Sequence, residues 1–289
     1  MTLRQALTAA ASQLAKDEHL RPTATRDAEL LLLHALQISR ATLIAYPDRE
    51  LPGDGGTFYQ SLIMRRLQHE PVQYILGKQE FYGLDFQVTP AVLIPRPETE
   101  HLVEAVLKLL PADQPQAIAD IGTGSGAIAI ALAAHIPLAK ITALDISLEA
   151  LAVAEMNARR HNVASRIKFV QSDLFEALSG EPATFDAVVS NPPYVAEADR
   201  CTLAPEVRDY EPAAALFAGK TGLDVYRRLI PQARIALKAG GLLALEIGQG
   251  QRDAIEALLQ GWEGISFVKD LHQIPRVALA RSPVHSTAP

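Results

Sequence analysis

The chain has 289 residues, 48% of them apolar and 21% charged, with a formal net charge of −6. That is the make-up of a soluble globular protein larger than the usual single domain, so one large domain or two unequal ones are expected. The acid excess argues against broad, phosphate-driven nucleic-acid binding, and the single cysteine, Cys201, excludes internal disulfides and thiolate metal cages.

At the N-terminus Leu3, Leu7 and Leu14 recur at helical spacing, which predicts an amphipathic helix rather than a signal peptide. Further short helices are predicted over 26–36, around 42–46 and over 58–69, punctuated by Pro22, Pro47, Pro52 and Gly53. Residues 1–75 therefore read as a helical domain. Within it Arg65-Arg66 reads as a solvated helix face, one that would also suit an acidic partner. Residues 76–95 read as a β-hairpin linker, because Phe81 to Val88 alternates as a strand and its partner. Val92-Leu93-Ile94 then leads into Pro95-Arg96-Pro97-Glu98-Thr99-Glu100, where Pro and Glu predict the opening of a helix over 98–110.

From Ala117 onward strands and helices alternate. Strands are predicted over 117–120, 140–144, 167–170, 185–190, 242–246, 265–268 and 276–280, and helices over 126–135, 148–160, 222–237 and 251–260. This is the pattern of an α/β fold, a mostly parallel, Rossmann-like sheet with helices on both faces, and it makes 96–282 a further domain. The tail 283–289 is expected to be disordered. No run reaches the roughly eighteen apolar residues of a membrane span, since the longest, 127–139, is broken by His135 and Pro137. A reducing, cytoplasmic setting without membrane contact is expected.

Asn191-Pro192-Pro193-Tyr194 closes the strand 185–190 with a turn that offers mainly hydrogen-bond acceptors. Neither proline has a backbone N–H, and each holds the residue before it extended, so the Asn191 carboxamide and the Pro192 carbonyl are fixed in place. A planar NH2 group can donate to both while stacking on Tyr194. Asp120-Ile121-Gly122-Thr123-Gly124-Ser125-Gly126-Ala127 follows a strand and opens a helix, the place where a nucleotide-like cofactor binds. With Ala127 it also satisfies the loose dinucleotide pattern, which keeps a nicotinamide- or flavin-dependent oxidoreductase open. Asp145 ends the next strand, at the spacing expected of an acid that accepts from ribose hydroxyls, and Asp173 ends the one after, with Leu174 and Phe175 offering apolar contact for a purine. Three carboxylates and no basic residue in the Gly-rich loop suit S-adenosylmethionine, which carries a sulfonium and an ammonium but no phosphate. The eight histidines lack metal-ligand spacing, and neither a G-x-S-x-G elbow nor a G-K-[ST] loop occurs.

Several motifs together resemble the release-factor glutamine N5-methyltransferases, the HemK/PrmC family of class I S-adenosylmethionine enzymes. They are Arg26-Asp27-Ala28-Glu29, Glu70-Pro71-Val72-Gln73-Tyr74-Ile75-Leu76-Gly77, Glu80-Phe81-Tyr82-Gly83, Leu93-Ile94-Pro95-Arg96-Pro97-Glu98-Thr99-Glu100, Gly122-Thr123-Gly124-Ser125-Gly126, Ser190-Asn191-Pro192-Pro193-Tyr194 and Glu206-Val207-Arg208-Asp209-Tyr210-Glu211-Pro212. The tetrapeptide alone is shared with adenine and guanine amino-methyltransferases of nucleic acids. The resemblance implies a class I methyltransferase sheet, with cofactor contacts at Gly122, Thr123, Gly124, Ser125, Gly126, Asp145, Leu174 and Asn191. To these the strand-end pattern adds Asp173. Substrate contacts are implied at Asn191, Pro192, Pro193 and Tyr194, with Asn191, Pro192 and Tyr194 carrying the chemistry. It also implies that the target is the glutamine of the Gly-Gly-Gln loop of peptide-chain release factors, docked with help from the helical domain. One departure stands out: Asp270-Leu271-His272-Gln273-Ile274-Pro275-Arg276 replaces a glycine-containing loop before the last strand.

Overall fold

The computed structural model describes residues 1–180 and 183–284 and divides the chain into two compact units. One comprises Met1–Lys78 together with Thr202–Tyr210, and the other comprises Gln79–Cys201 and the chain from Glu211 onward.

The first unit contains helices α1 (Leu3–Leu14), α2 (Ala24–Leu36), α3 (Arg40–Ala45), α4 (Gly53–Leu67) and α5 (Val72–Leu76). A capping box opens α1: Thr2 Oγ1 accepts from the Gln5 backbone N–H at 3.3 Å, while Gln5 Oε1 accepts from the Thr2 N–H at 2.9 Å. Its core is aliphatic, built on Leu3, Leu14, Leu31, Leu32, Leu62 and Ile63. Helix α5 has no sequence periodicity to announce it; it is one turn long and ends at Gly77, whose φ of 71° suits glycine.

Arg66 departs from the expected solvated face, being only 3% exposed. Its Nε donates to Asp27 Oδ2 at 2.8 Å, and its second terminal nitrogen pairs with Glu206 Oε2 at 2.6 Å. Burial of a guanidinium between two carboxylates is the arrangement that makes such burial tolerable. Arg65 alone keeps the solvated role, paired with Glu70.

The second unit begins within the hairpin of β1 (Lys78–Phe81) and β2 (Leu84–Gln87), at Gln79. A tight 3-10 turn over Pro97–Thr99 then precedes α6 (Glu100–Leu109), so the predicted helix over 98–110 divides in two. There follow β3 (Gln116–Ile121), α7 (Ala127–His135), β4 (Ala139–Asp145), α8 (Leu148–Arg160), β5 (Ile167–Gln171), β6 (Phe185–Ser190), α9 (Pro205–Tyr210), α10 (Asp224–Ala236), β7 (Leu237–Glu246), α11 (Arg252–Leu258), β8 (Glu263–Lys269) and β9 (Pro275–Arg281). Of these, α9 folds with the helical unit.

Seven strands form one sheet in the order β5-β4-β3-β6-β7-β9-β8, parallel from β5 to β7, with β9 antiparallel to both its neighbours. The central strands β3 and β6 are buried along nearly their whole length because helices cover both faces. Strand β7 begins five residues before the predicted 242. Leu237 pairs with Phe185, the register then shifts, and Gly240 and Gly241 exchange backbone bonds with Ser282, each 2.9 Å long. The tail predicted to be disordered lies, from residue 285, outside the described residues. At the atypical loop, Asp270 Oδ1 accepts from the N–H groups of His272 and Ile274, and Oδ2 accepts from Arg276 Nε at 2.9 Å. Gln273 takes the left-handed conformation there, φ 63°, that a glycine would otherwise supply.

Candidate active site

Chain order reverses at β3, whose neighbours are β4 on one side and β6 on the other. In open α/β sheets the crevice outside the strand ends at such a switch point is where ligands bind. A cavity of about 570 Å³ lies there, within the second unit. Its walls include the Gly-rich loop, Asp145 at the end of β4, Ser172 to Leu174 after β5, and Asn191 and Pro193 after β6.

The loop from Gly122 is folded back onto β4: the N–H groups of Gly122 and Thr123 both donate to Leu144 C=O, at 2.8 and 3.0 Å. Gly124 N–H donates to Asp145 Oδ2 at 2.9 Å, and Ser147 N–H donates to Asp145 Oδ1 at 3.0 Å. Asp145 is thus oriented by two backbone donors and keeps lone pairs for a ligand. Burial pushes its carboxyl above the usual range, and the backbone donors at Ser147, Gly124 and Ile146 oppose the shift. A Cβ built on Gly122 or Gly124 meets nothing within 4 Å, so the space beside the loop is open to a ligand. Gly126 serves packing instead. At φ 82° its Cβ position lies 2.9 Å from Ile130 Cδ1 and 3.2 Å from Ala154 Cβ, which lets α8 approach closely.

Thr123 and Ser125 are both buried beside the cavity. The Thr123 hydroxyl donates to Asp120 Oδ2 at 2.7 Å, which also accepts from the Ala129 N–H. Burial drives the Asp120 carboxyl up to about 7 against those two donors. The Ser125 carbonyl accepts from Asn157 Nδ2 at 2.9 Å, and the same carboxamide makes two bonds to the backbone of Gln87 in β2. Asn157 therefore ties the hairpin to the loop, a role that its place inside a helical pattern does not disclose.

Asp173 accepts from Arg228 at 2.7 Å, and Arg96 pairs with the buried Glu211. Both arginines line the cavity, so the crevice holds more positive charge than the glycine loop alone indicates, but each guanidinium faces a carboxylate. Leu174 is held at φ 52°, a conformation costing a non-glycine residue about 1–3 kcal/mol and concentrated at functional positions.

Strand β6 is pinned at its end by the Ser190 hydroxyl, which donates to Ile121 C=O at 2.7 Å. Asn191 follows, and its Nδ2 donates to Thr99 Oγ1 at 3.0 Å. Among the described residues no donor is bonded to Asn191 Oδ1, which leaves an acceptor at the cavity wall. Pro192 is buried. Tyr194 packs against the apolar cluster of β7 and α10, and its carbonyl accepts from Gln251 Nε2 at 2.9 Å. Burial raises its phenol, and the Glu246 carboxylate nearby adds to that. Thr99, which the sequence offers mainly as a helix start, lines the cavity, whereas nothing in the spacing of Glu246, Asn157 or Gln251 singles them out.

The first unit coincides with a match to the PrmC N-terminal domain model over residues 5–77, and a methyltransferase small domain model matches residues 99–207. Among solved structures, the hMettl16 catalytic domain in complex with the MAT2A 3′UTR hairpin 6 aligns with a TM-score of 0.55 at 17% identity, covering 81% of this chain and 83% of that one. The T. thermophilus 16S rRNA N2 G1207 methyltransferase in complex with AdoMet and guanosine aligns with a TM-score of 0.54 at 20% identity, covering 71% of this chain and 49% of that one. These two likenesses establish the methyltransferase fold. The release factor glutamine methyltransferase of Koribacter versatilis is 46% identical over 98% of this chain and 99% of its own length. That of Moorella thermoacetica is 48% identical over 89% of each. Identity at this level over nearly the whole of both chains carries one conclusion: the chain belongs to the release factor glutamine methyltransferase family.

Proposed function

We propose that this chain transfers a methyl group from S-adenosylmethionine to the side-chain nitrogen of the Gly-Gly-Gln glutamine of a peptide-chain release factor, in the cytoplasm. The observation that carries the reading is the acceptor at Asn191, fixed at a strand end on the wall of a cavity large enough for a nucleoside ligand. The residues fit the cofactor. Gly122 and Gly124 leave open space, Asp145 presents an oriented carboxylate to ribose hydroxyls, and Leu174 offers an apolar contact while Asp173 adds negative charge beside Arg228. Gly126 serves by letting α8 close in, and Thr123 and Ser125 by shaping the loop.

When bound, S-adenosylmethionine supplies a methyl carried on a positively charged sulfur. The chain's residues then have to hold a poor nucleophile, since the lone pair of an amide nitrogen is delocalised into its carbonyl. Asn191 Oδ1 and the Pro192 carbonyl accept the two amide hydrogens, with Pro193 on the cavity wall and Tyr194 packed against the cluster of β7 and α10. As the new N–C bond forms, those hydrogens grow more acidic and the two acceptors bind them more strongly, which is the differential that raises a rate. Holding the reacting groups in place is worth about 7–11 kcal/mol of barrier, the larger share. The proton lost from nitrogen leaves to water, and no side chain is assigned as a base. The helical unit contributes binding of the release factor away from its glutamine loop.

The test is mass spectrometry after incubating the enzyme with methyl-labelled S-adenosylmethionine and, separately, release factor, RNA and DNA. Label is expected on the Gly-Gly-Gln glutamine and nowhere on a factor with that glutamine changed to alanine. Label on nucleic acid with none on the factor would replace this reading by that of a nucleic-acid amino-methyltransferase, and reduction of NAD without methyl transfer would point to an oxidoreductase.

A further inference from the structure

A carboxamide has two ends of nearly equal shape and opposite polarity. If Asn191 is to accept a hydrogen from a target NH2, something must stop it from turning its own NH2 toward the target, because the two orientations differ in space by very little. In the structure Asn191 Nδ2 donates to Thr99 Oγ1 at 3.0 Å. Thr99 is 4% exposed, and its hydroxyl stands beside the Glu246 carboxyl, whose charged form it favours. A hydroxyl carries one proton. Burial raises the Glu246 carboxyl to about 7, and once ionised it has no proton to give, so the hydroxyl proton turns to it and only lone pairs remain toward Asn191, which demand an N–H. The polarity is then set in sequence from carboxylate to hydroxyl to amide, ending with Oδ1 as the end left for the cavity.

Two further observations mark this as a device rather than incidental packing. Glu246 is 2% exposed and, among the described residues, nothing hydrogen-bonds one of its carboxyl oxygens, Oε2, an arrangement that costs stability and that an apolar side chain of similar size would avoid. The register of the sheet also places it where it is needed: Leu245 lies opposite Ser190, so Glu246 and Asn191 leave adjacent strands side by side. Thr99 reaches the same point from the turn Pro97–Thr99.

We propose that Thr99 and Glu246 are positioning residues that lock the orientation of the Asn191 carboxamide, and so determine that this site recognises an NH2 group. The proposal rests on Asn191 being the acceptor of the target nitrogen. Replacing Thr99 by Val removes the hydroxyl at nearly constant shape, and the expected result is a fall in kcat of about 10–100-fold, smaller than the loss of a whole polar group. The affinity for S-adenosylmethionine should stay within about twofold of the parent. Thr99→Ser should restore turnover to within a few-fold. Glu246→Gln, which retains an oxygen for the Thr99 hydroxyl, should stay well above Glu246→Leu. In the Asn191→Ala background, adding Thr99→Val should cost less than about a further twofold, because nothing is left to orient.

Each variant is measured with intact release factor at saturating cofactor, after its thermal midpoint shows it to be folded. A Thr99→Val enzyme with the parent's kcat, or losses from Thr99→Val and Asn191→Ala that multiply, would overturn the lock while leaving the methyl-transfer reading intact. A parent-like Asn191→Ala enzyme would instead overturn the assignment of Asn191 on which the lock depends. Should Thr99→Val fail to fold, the contrast between Glu246→Gln and Glu246→Leu decides, and equal kcat for that pair would overturn the lock.

Discussion

Both oxygens of Asp145 accept a backbone N–H before any ligand arrives, so this carboxylate braces the glycine loop and presents a charge to the cavity at once. Asp145→Ala removes both effects. Loss of a charged acceptor for ribose hydroxyls is expected to weaken S-adenosylmethionine by about 1.5–3 kcal/mol, measured by calorimetry on protein whose thermal midpoint is known. Unchanged affinity would remove Asp145 from the cofactor site. At this scale the sequence was informative wherever chemistry sits in a short motif. Asp145 and Asn191 each close an apolar run, and the glycines of the loop are contiguous. It was silent where a site is assembled by contact across the chain: Thr99, Asn191 and Glu246 come from three separate stretches, and only the alignment of β6 with β7 brings the last two together. Arg66 shows the opposite failure, since a charged pair on a helix reads as solvated unless its buried acids are known.

Among elements, the hairpin β1–β2 is fastened to α8 by polar contacts, beside the apolar packing of Phe81 and Phe86 in the main core. Asn157 exchanges two bonds with the Gln87 backbone and donates a third to Ser125 C=O, and His161 bonds the Asp85 carbonyl. Asn157→Ala leaves a backbone N–H and two carbonyls without their partner. The expected cost is about 2–4 kcal/mol, taking each stranded buried group at the lower end of its usual penalty. Chemical denaturation reads this loss, and cofactor affinity should fall with it because Ser125 belongs to the loop; a variant as stable as the parent would show that the hairpin is held by its apolar contacts alone. Elements with strong periodicity were legible: strands β3 to β6 and helices α7, α8 and α10 fall within a residue or two of their predicted bounds. Those set by tertiary pairing were not. Strand β7 extends back to Leu237 because Phe185 and Ser282 supply partners there, and α5 and α9 are too short for a repeat to reveal them.

For the molecule as a whole, the segment Thr202–Tyr210 matters most, because it is embedded in the sequence of the methyltransferase unit and folds with the helices. Within the helical unit Glu206 pairs with Arg66, and the Tyr210 hydroxyl donates to Gln68 C=O at 2.7 Å. Arg66→Ala strands the buried Asp27 carboxylate and frees Glu206. Destabilisation of about 3–5 kcal/mol is expected in a denaturation experiment, and simultaneous Asp27→Asn should recover part of it. Equal stability of Arg66→Ala and the parent would show that Asp27 is solvated in solution. The alternation of strands and helices made the fold class readable from sequence. The double crossing of the chain into the helical unit did not show, because α9 carries no pattern that separates it from the loops around it. Its position has a consequence for how the protein is made. The helices emerge from the ribosome first, yet Glu206 is translated long after Arg66, and at about 5–20 residues per second that is a wait of order ten seconds. Throughout it Arg66 has Asp27 but lacks its second carboxylate, so the nascent helical unit reaches its final stability only when synthesis is well into the catalytic half.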